Sequence, residues 1–367
     1  MSNSDRKIEP RQGILSIPKY ISGKSGLGRL DNPIKLSANE NPYGPSKKAI
    51  EVFVQSQNNL GVYPDSNHEA LRYAIADVMG INERQIICGA GSDELINFLC
   101  QCYASDGDEV IHSAHGFAMY RISTLTVGAT PVSVPEINRH ADISKIIKAC
   151  NERTKLIFLA NPNNPTGTFI DIAELNKLVD SIPRHTLLVL DGAYAEYIEK
   201  FDSDIELVDR RQNVFITRTF SKIHGLGSLR VGWGYGPKNI IEALQRVKGP
   251  FNISGVGQEV AAAAIKDIEY VDKCRRDNLN LRESLASDLK RINIQTDRSF
   301  ANFLLLRFPN NNLAKLANEF LYRNGILVRD VSNYGLENCI RISIGTSSDC
   351  EQVLGYLTKF QENNHAI

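Results

Sequence analysis

The chain has 367 residues, 42% of them hydrophobic and 23% charged, with 42 basic residues against 42 acidic ones. That length suits one large protein of two continuous lobes rather than a string of small modules. A formal net charge of zero argues against a broad nucleic-acid or anionic-membrane surface, and no run of about 18 apolar residues is available to cross a bilayer.

The opening stretch, MSNSDRKIEPRQG, is polar and lacks the apolar centre of a secretory signal, so none is expected. Residues 1–45 are rich in turn formers, NPIKLSANENPYGP among them, and read as an arm that crosses between lobes or subunits. From residue 85 to 236 short apolar runs alternate with amphipathic stretches. The runs are QIIC (85–88), EVIHS (109–113), TPVSV (130–134), KLIFLA (155–160), TLLVL (186–190), NVFIT (213–217) and VGWGYG (231–236). Helices are predicted over 93–103, 120–127, 143–149 and 172–180. Continuous apolar strands alternating with helices predict an α/β domain, residues 46–255, around a mostly parallel seven-stranded sheet buried on both faces. In such a sheet ligands gather at the carboxyl ends of the strands. Beyond it, a long helical stretch over 257–291, the runs NFLLLRF (302–308), GILVRD (325–330) and CIRISIG (339–345), and helices near 313–324 and 349–361 predict a smaller α+β domain, residues 256–367.

Seven cysteines stand at 88, 100, 102, 150, 274, 339 and 350, and the only close pair, Cys100 and Cys102, lies on an apolar helical stretch. They read as reduced thiols of a cytoplasmic protein rather than as disulfides or zinc ligands. The seven histidines show no HxH or HExxH pairing, so no metal site is expected.

Four segments carry chemistry. Asn161-Pro162-Asn163-Asn164-Pro165-Thr166-Gly167 follows the strand KLIFLA, and its two X-Pro steps present an Asn side chain at the strand's carboxyl end. The strand LLVL ends in Asp191, with Tyr194 three residues on. A carboxylate there needs a cation or donors, and on the residues alone it serves equally well as a cap. The strand NVFIT runs into Thr219, Ser221, Lys222, His224 and then Arg230, which suits an anionic phosphate and a lysine of lowered pKa acting as a nucleophilic amine. By itself Lys222 also reads as a surface lysine, and His224 reads as a structural neighbour rather than a base. Finally, Cys88-Gly89-Ala90-Gly91-Ser92-Asp93-Glu94 joins a strand to a helix start, which is either a phosphate cradle or a plain cap.

Together these pieces resemble the fold-type-I pyridoxal-phosphate enzymes and, among them, the histidinol-phosphate aminotransferases. The resemblance covers nearly the whole chain, through LSANENPYGPS (36–46), YPD (63–65), GAGSDELI, HGFAMY (115–120), NPNNPTG, DGAY, TRTFSKIHGLGSLRVGW (217–233), GILVRD and RISIGT (341–346). It implies pyridoxal 5'-phosphate as cofactor, with Lys222 as the Schiff-base lysine that also moves the substrate proton. Asp191 would pair with the pyridine nitrogen, and Asn164 and Tyr194 would bond the phenolic oxygen. Phe117 would stack on the ring where the family usually has tyrosine, keeping the stacking and losing a hydroxyl. Ser92, Asp93, Thr219, Ser221 and Arg230 would hold the cofactor phosphate, with Tyr63 reaching in from a second subunit of a homodimer. Tyr20, Asn39, Asn164, Arg329 and Arg341 would bind substrate, two arginines suiting a phosphate dianion. Two departures stand beside the ring: the common DEAY is here Asp191-Gly192-Ala193-Tyr194, and the usual proline-rich run before the stacking residue is Ala114-His115-Gly116.

The implied reaction interconverts L-histidinol phosphate plus 2-oxoglutarate with imidazole acetol phosphate plus L-glutamate, a ping-pong step of histidine biosynthesis. The alternatives are an aromatic-amino-acid aminotransferase, a decarboxylase of a phosphorylated amino acid, which would release carbon dioxide and need no 2-oxoglutarate, and a non-catalytic cofactor-binding protein. The last predicts a degraded Lys, Asp or Arg position, and all are intact.

Overall fold

The computed structural model describes residues 8–20, 33–199 and 203–365. Strand β1 (Ile34–Lys35) lies within the arm, and helices α1 (Lys47–Ser56) and α2 (Glu69–Met79) follow it. Next come β2 (Ile86–Gly89), α3 (Ser92–Tyr103), β3 (Glu109–Ser113), α4 (Ala118–Thr126), β4 (Thr130–Val134), α5 (Ile143–Ala149) and β5 (Thr154–Ala160). The series continues with α6 (Ile172–Ser181), β6 (Leu187–Asp191), α7 (Ser203–Arg210), β7 (Val214–Thr219) and β8 (Gly232–Tyr235). The last third holds α8 (Lys238–Val247), α9 (Gly255–Ile265), α10 (Ile268–Arg291), β9 (Gln295–Thr296), β10 (Phe303–Arg307) and α11 (Asn311–Arg323). It ends with β11 (Ile326–Leu327), β12 (Arg329–Asp330), β13 (Cys339–Ser343) and α12 (Ser347–His365).

The seven predicted strands β2 to β8 form one sheet in the order β2-β8-β7-β6-β5-β3-β4, parallel except for β8, which runs antiparallel to both neighbours. Strand β5 shows why the runs are continuously apolar. Ile157 and Leu159 point into a cluster fed by helices including α2, α5 and α6, whereas Leu156 and Phe158 point into the opposite cluster beneath α3, α4 and α8. Each such side chain contributes about 1.5–3 kcal/mol when fully buried, and none of them carries a polar atom needing a partner. The carboxyl ends of β5, β6 and β7 lie level, with Ala160 opposite Asp191 and Asp191 opposite Thr217.

A second, antiparallel sheet has the order β12-β13-β10-β9, and its cluster of Leu304, Leu306, Ile340 and Ile342 packs under α10, α11 and α12. The arm reaches this part of the molecule: β1 pairs in parallel with β11, and the Ser343 N–H donates to the Leu36 carbonyl at 2.9 Å. Two elements differ from the sequence reading. The predicted helix over 257–291 is two helices broken at Lys266 and Asp267, where Asp267 meets Lys48 of α1 at 3.1 Å, and α9 sends Val260, Ala261 and Ala264 into the core beneath the large sheet. The run GILVRD is not one strand, because it changes partner from β1 to β13 at Val328. Among the described residues no helix is long and apolar enough to cross a membrane.

Candidate active site

The level strand ends, the arm and β12–β13 enclose a cavity of about 460 Å³. It gathers Tyr20, Asn39, Ser92, Asp93, Phe117, Asn164, Asp191, Tyr194, Thr219, Ser221, Lys222, Arg230, Arg329 and Arg341, so all but one of the residues expected to bind cofactor or substrate meet in one place. The exception is Tyr63, which stands exposed with its ring stacked on Phe251 at 4.7 Å and does not line this chain's cavity.

At one end, α3 begins at Gly91 in a conformation with φ of 93°, and no side chain caps its first turn. Glu94 instead takes the Ala90 N–H at 2.7 Å, leaving the Ser92 and Asp93 amides at the cavity wall. Gly232 permits this approach, since a Cβ there would collide with the Ser92 nitrogen. Arg230 donates to Ser221 Oγ at 3.1 Å and to Asp93 at 2.8 Å, and the Ser221 N–H donates to Thr219 Oγ1 at 3.1 Å. An uncapped helix start beside a guanidinium and two hydroxyls offers the donors that a phosphate needs.

Asp191 ends β6, fully buried. It accepts from Tyr120 Oη at 2.8 Å, Thr217 Oγ1 at 3.1 Å and the Ala193 N–H at 3.2 Å. Burial raises its carboxyl above the usual range, and the donors from Tyr120 and Thr217 oppose that rise. It therefore caps the following turn and still offers negative charge to a cation in the cavity. Tyr120, which the sequence reading missed, itself stacks on Phe158 at 5.0 Å and meets the edge of Phe117 at 5.9 Å.

The Lys222 amine donates to the Ala38 carbonyl at 3.1 Å and sits 5.7 Å from the centre of the Tyr194 ring. Burial, with Arg341 nearby, lowers it to about 8, so it is not the surface lysine that its local sequence allowed. The Tyr194 hydroxyl accepts from Asn39 Nδ2 at 2.9 Å, which leaves its own O–H to donate elsewhere. Asn39 also receives Ser343 Oγ at 3.1 Å, so one arm residue joins the turn after β6 to β13. His224 lies outside the lining, packed against Phe220 at 5.0 Å and pushed down to about 4 by burial; it is a neutral structural ring.

At the other end Arg329 and Arg341 stand directly opposite one another across β12 and β13, both buried. Arg341 donates to Asn164 Oδ1 and, at 2.8 Å, to the Ser37 carbonyl; both partners are neutral, and its Nε is unpartnered among the described residues. Two guanidiniums side by side on a cavity wall suit an anionic ligand. Tyr20 and Tyr334 complete this end, and burial raises the Tyr20 phenol. Tyr334 was not foreseen; its carbonyl accepts from His115 Nδ1 at 2.6 Å in the tautomer that carries the proton there.

A flat heteroaromatic phosphate carrying an aldehyde fits these residues: donors for its phosphate, a buried carboxylate for a protonated ring nitrogen, an aromatic wall at Phe117 and an amine of lowered pKa. The comparisons agree. The model of the aminotransferase class I and II family matches residues 31–357. A histidinol-phosphate aminotransferase of Cereibacter sphaeroides is 49% identical over 354 residues, 96% of this chain and 98% of that one. One from Paracoccus denitrificans is 48% identical over 353 residues, 96% of each chain. The crystal structure of histidinol-phosphate aminotransferase from Sinorhizobium meliloti in complex with pyridoxal-5'-phosphate superposes with a TM-score of 0.85 at 25% identity, covering 90% of this chain and 91% of that one. The chain thus belongs to the class I and II aminotransferases, in their histidinol-phosphate aminotransferase branch, and works with pyridoxal phosphate.

Proposed function

We propose that the chain interconverts L-histidinol phosphate plus 2-oxoglutarate with imidazole acetol phosphate plus L-glutamate, as a step of histidine biosynthesis. The observation that carries this reading is the pair Arg329 and Arg341, opposed on adjacent strands and buried at the cavity end away from the phosphate cradle. A phosphate ester or the second carboxylate of a dicarboxylate would neutralise both, and guanidinium forks suit either.

Bound pyridoxal phosphate supplies the electron sink that makes the substrate's Cα proton acidic. Lys222 would hold the cofactor's carbonyl carbon and later move the proton, for which an amine brought down to about 8 is suited at neutral pH. Asp191, steadied by Tyr120 and Thr217, would keep the ring nitrogen protonated. Tyr194 and Asn164 would bond the phenolic oxygen, and Ser92, Asp93, Thr219, Ser221 and Arg230 would bind the phosphate. Asn39 and Tyr20 close the substrate side with the two arginines.

The reading includes a homodimer in which Tyr63 completes the partner's phosphate cradle. Support comes from the large apolar side chains left exposed in the same stretch of chain, Ile50, Phe53 and Val54 on α1 with Leu60, Val62 and Tyr73, which a second copy of the chain could cover. We take the domain division as an arm to residue 45, a cofactor lobe of 46–255 and a closing lobe of 256–367, with α9 attached to the cofactor lobe by packing. Seven cysteines, all free thiols, support a cytoplasmic setting.

Steady-state kinetics with histidinol phosphate and with phenylalanine test the substrate. The higher kcat/KM is expected for histidinol phosphate; a higher value for phenylalanine overturns the assignment in favour of an aromatic aminotransferase. Carbon dioxide released from a phosphorylated amino acid without 2-oxoglutarate would instead make the protein a decarboxylase.

A further inference from the structure

A second cavity, about 550 Å³, lies behind the turn that follows Tyr194. Its walls are Tyr197, Ile198 and Glu199 on one side and α10 with the segment 296–300 on the other. Four arginines line it: Arg275, Arg276, Arg282 and Arg298. Some of the acids around it are already committed. Asp272 pairs with Arg275 at 2.5 Å, and Asp297 is held by Arg139 and, at 3.5 Å, by Arg307. Glu199 and Glu283 also line the space, and neither forms an ion pair with an arginine among the described residues.

Arg282 is the unusual member. It is only 6% exposed, and its Nη1 donates to the Ala301 carbonyl at 2.7 Å, yet no carboxylate lies within ion-pair distance of it among the described residues. Burial lowers it to about 10, with Glu283 opposing that shift and Arg298 adding to it. A guanidinium withdrawn from water beside a second cation is costly unless something anionic meets it. Arg298 holds its guanidinium over the Phe300 ring, 4.8 Å from its centre, which fixes the fork and leaves its N–H groups available. Nothing in the proposed transamination uses these residues.

We propose that this cavity is a second binding site, taking a small ligand through an oxyanion, phosphate or carboxylate, on Arg282 and Arg298 with Arg276 at the rim. Its position gives the ligand a link to the reaction centre. Tyr197, on the cavity wall, packs in the same apolar cluster as Tyr194, Ile223 and Phe303.

Calorimetric titration of the holoenzyme at low ionic strength tests this, with inorganic phosphate in one arm and succinate in the other. Two anions per wild-type chain are expected, one of them lost in Arg341→Gln and the other retained there. Arg298→Gln is exposed and leaves the fold alone; it should weaken the retained site about tenfold or more, the worth of a charge-assisted hydrogen bond, with kcat and KM unchanged. Arg282→Met should abolish that site, and if this variant does not fold, Arg298→Gln still decides. Tighter uptake of phosphate than of succinate assigns the site to phosphate esters, and the reverse assigns it to carboxylates. A single anion per chain that Arg341→Gln removes, or an Arg298→Gln chain that titrates like wild type in both arms, overturns the proposal.

Discussion

Lys222 shows how one side chain's surroundings set its chemistry. Its ammonium is disfavoured first by burial and then by Arg341, so the reactive neutral amine is half populated near pH 8. The rate at which the cofactor-free chain takes up pyridoxal phosphate should rise with pH to about 8 and level off above it. Removing the neighbouring positive charge in Arg341→Ala should move that plateau to higher pH, because the lysine then regains its proton more readily; an unmoved profile would separate the two residues. The same variant should raise KM for both substrates tenfold or more, the worth of a charge-assisted pair, while retaining cofactor. Loss of cofactor instead would mean that Arg341 serves the wrong ligand. Lys222→Ala should bind cofactor non-covalently and lose transamination, as absorption and turnover will report. Tyr120→Phe removes one donor from Asp191 and lets its pKa climb further; kcat should fall roughly fivefold to tenfold, the worth of one hydrogen bond, with KM little changed. Strand ends and turn residues marked Lys222 and Asp191 as candidates, but their local sequence also allowed a surface lysine and a plain cap, and the two arginines were picked out only through the family resemblance. Tyr120 was not legible, since a phenol on an amphipathic helix reads as core until the strand it faces is known.

Among elements, the junction of β6 and β7 leaves no room for a side chain at Gly192. A Cβ on Gly192 would come within 2.8 Å of Arg218 Nε and 3.1 Å of the Thr217 carbonyl, so the glycine that departs from the common DEAY makes room for a buried arginine. Arg218 in turn meets buried Asp204 at 2.6 Å and half-buried Glu196 at 3.4 Å. Gly192→Ala should therefore cost about 1–3 kcal/mol by overpacking, read as a lower urea midpoint; a neutral result would show that Arg218 can withdraw. The seven strands of the large sheet were legible because burial on both faces demands unbroken apolar runs. Where the reading failed, the cause was long-range. Nothing local ends a helix at Lys266 and Asp267; the break accompanies the ion pair of Asp267 with Lys48. Likewise GILVRD is apolar throughout its first half and gives no hint that residues 326–327 and 329–330 serve different sheets.

For the whole molecule the dimer proposed above makes a prediction that no single chain can satisfy. A Tyr63 variant impaired at the cradle, mixed and refolded with Lys222→Ala, should regain about a quarter of wild-type activity, one intact site in half of the randomly paired dimers. Absence of any recovery would mean that each chain completes its own site. The arm has a different consequence. Asn39, near the beginning, bonds Tyr194 in the middle and Ser343 in the last strand, and Arg341 stands beside that strand's end of the cavity. Contacts so distant along the chain form late and fold slowly. A ribosome must therefore release almost the entire polypeptide before any catalytic pocket exists, and the half-made protein can fold its large sheet while remaining chemically silent.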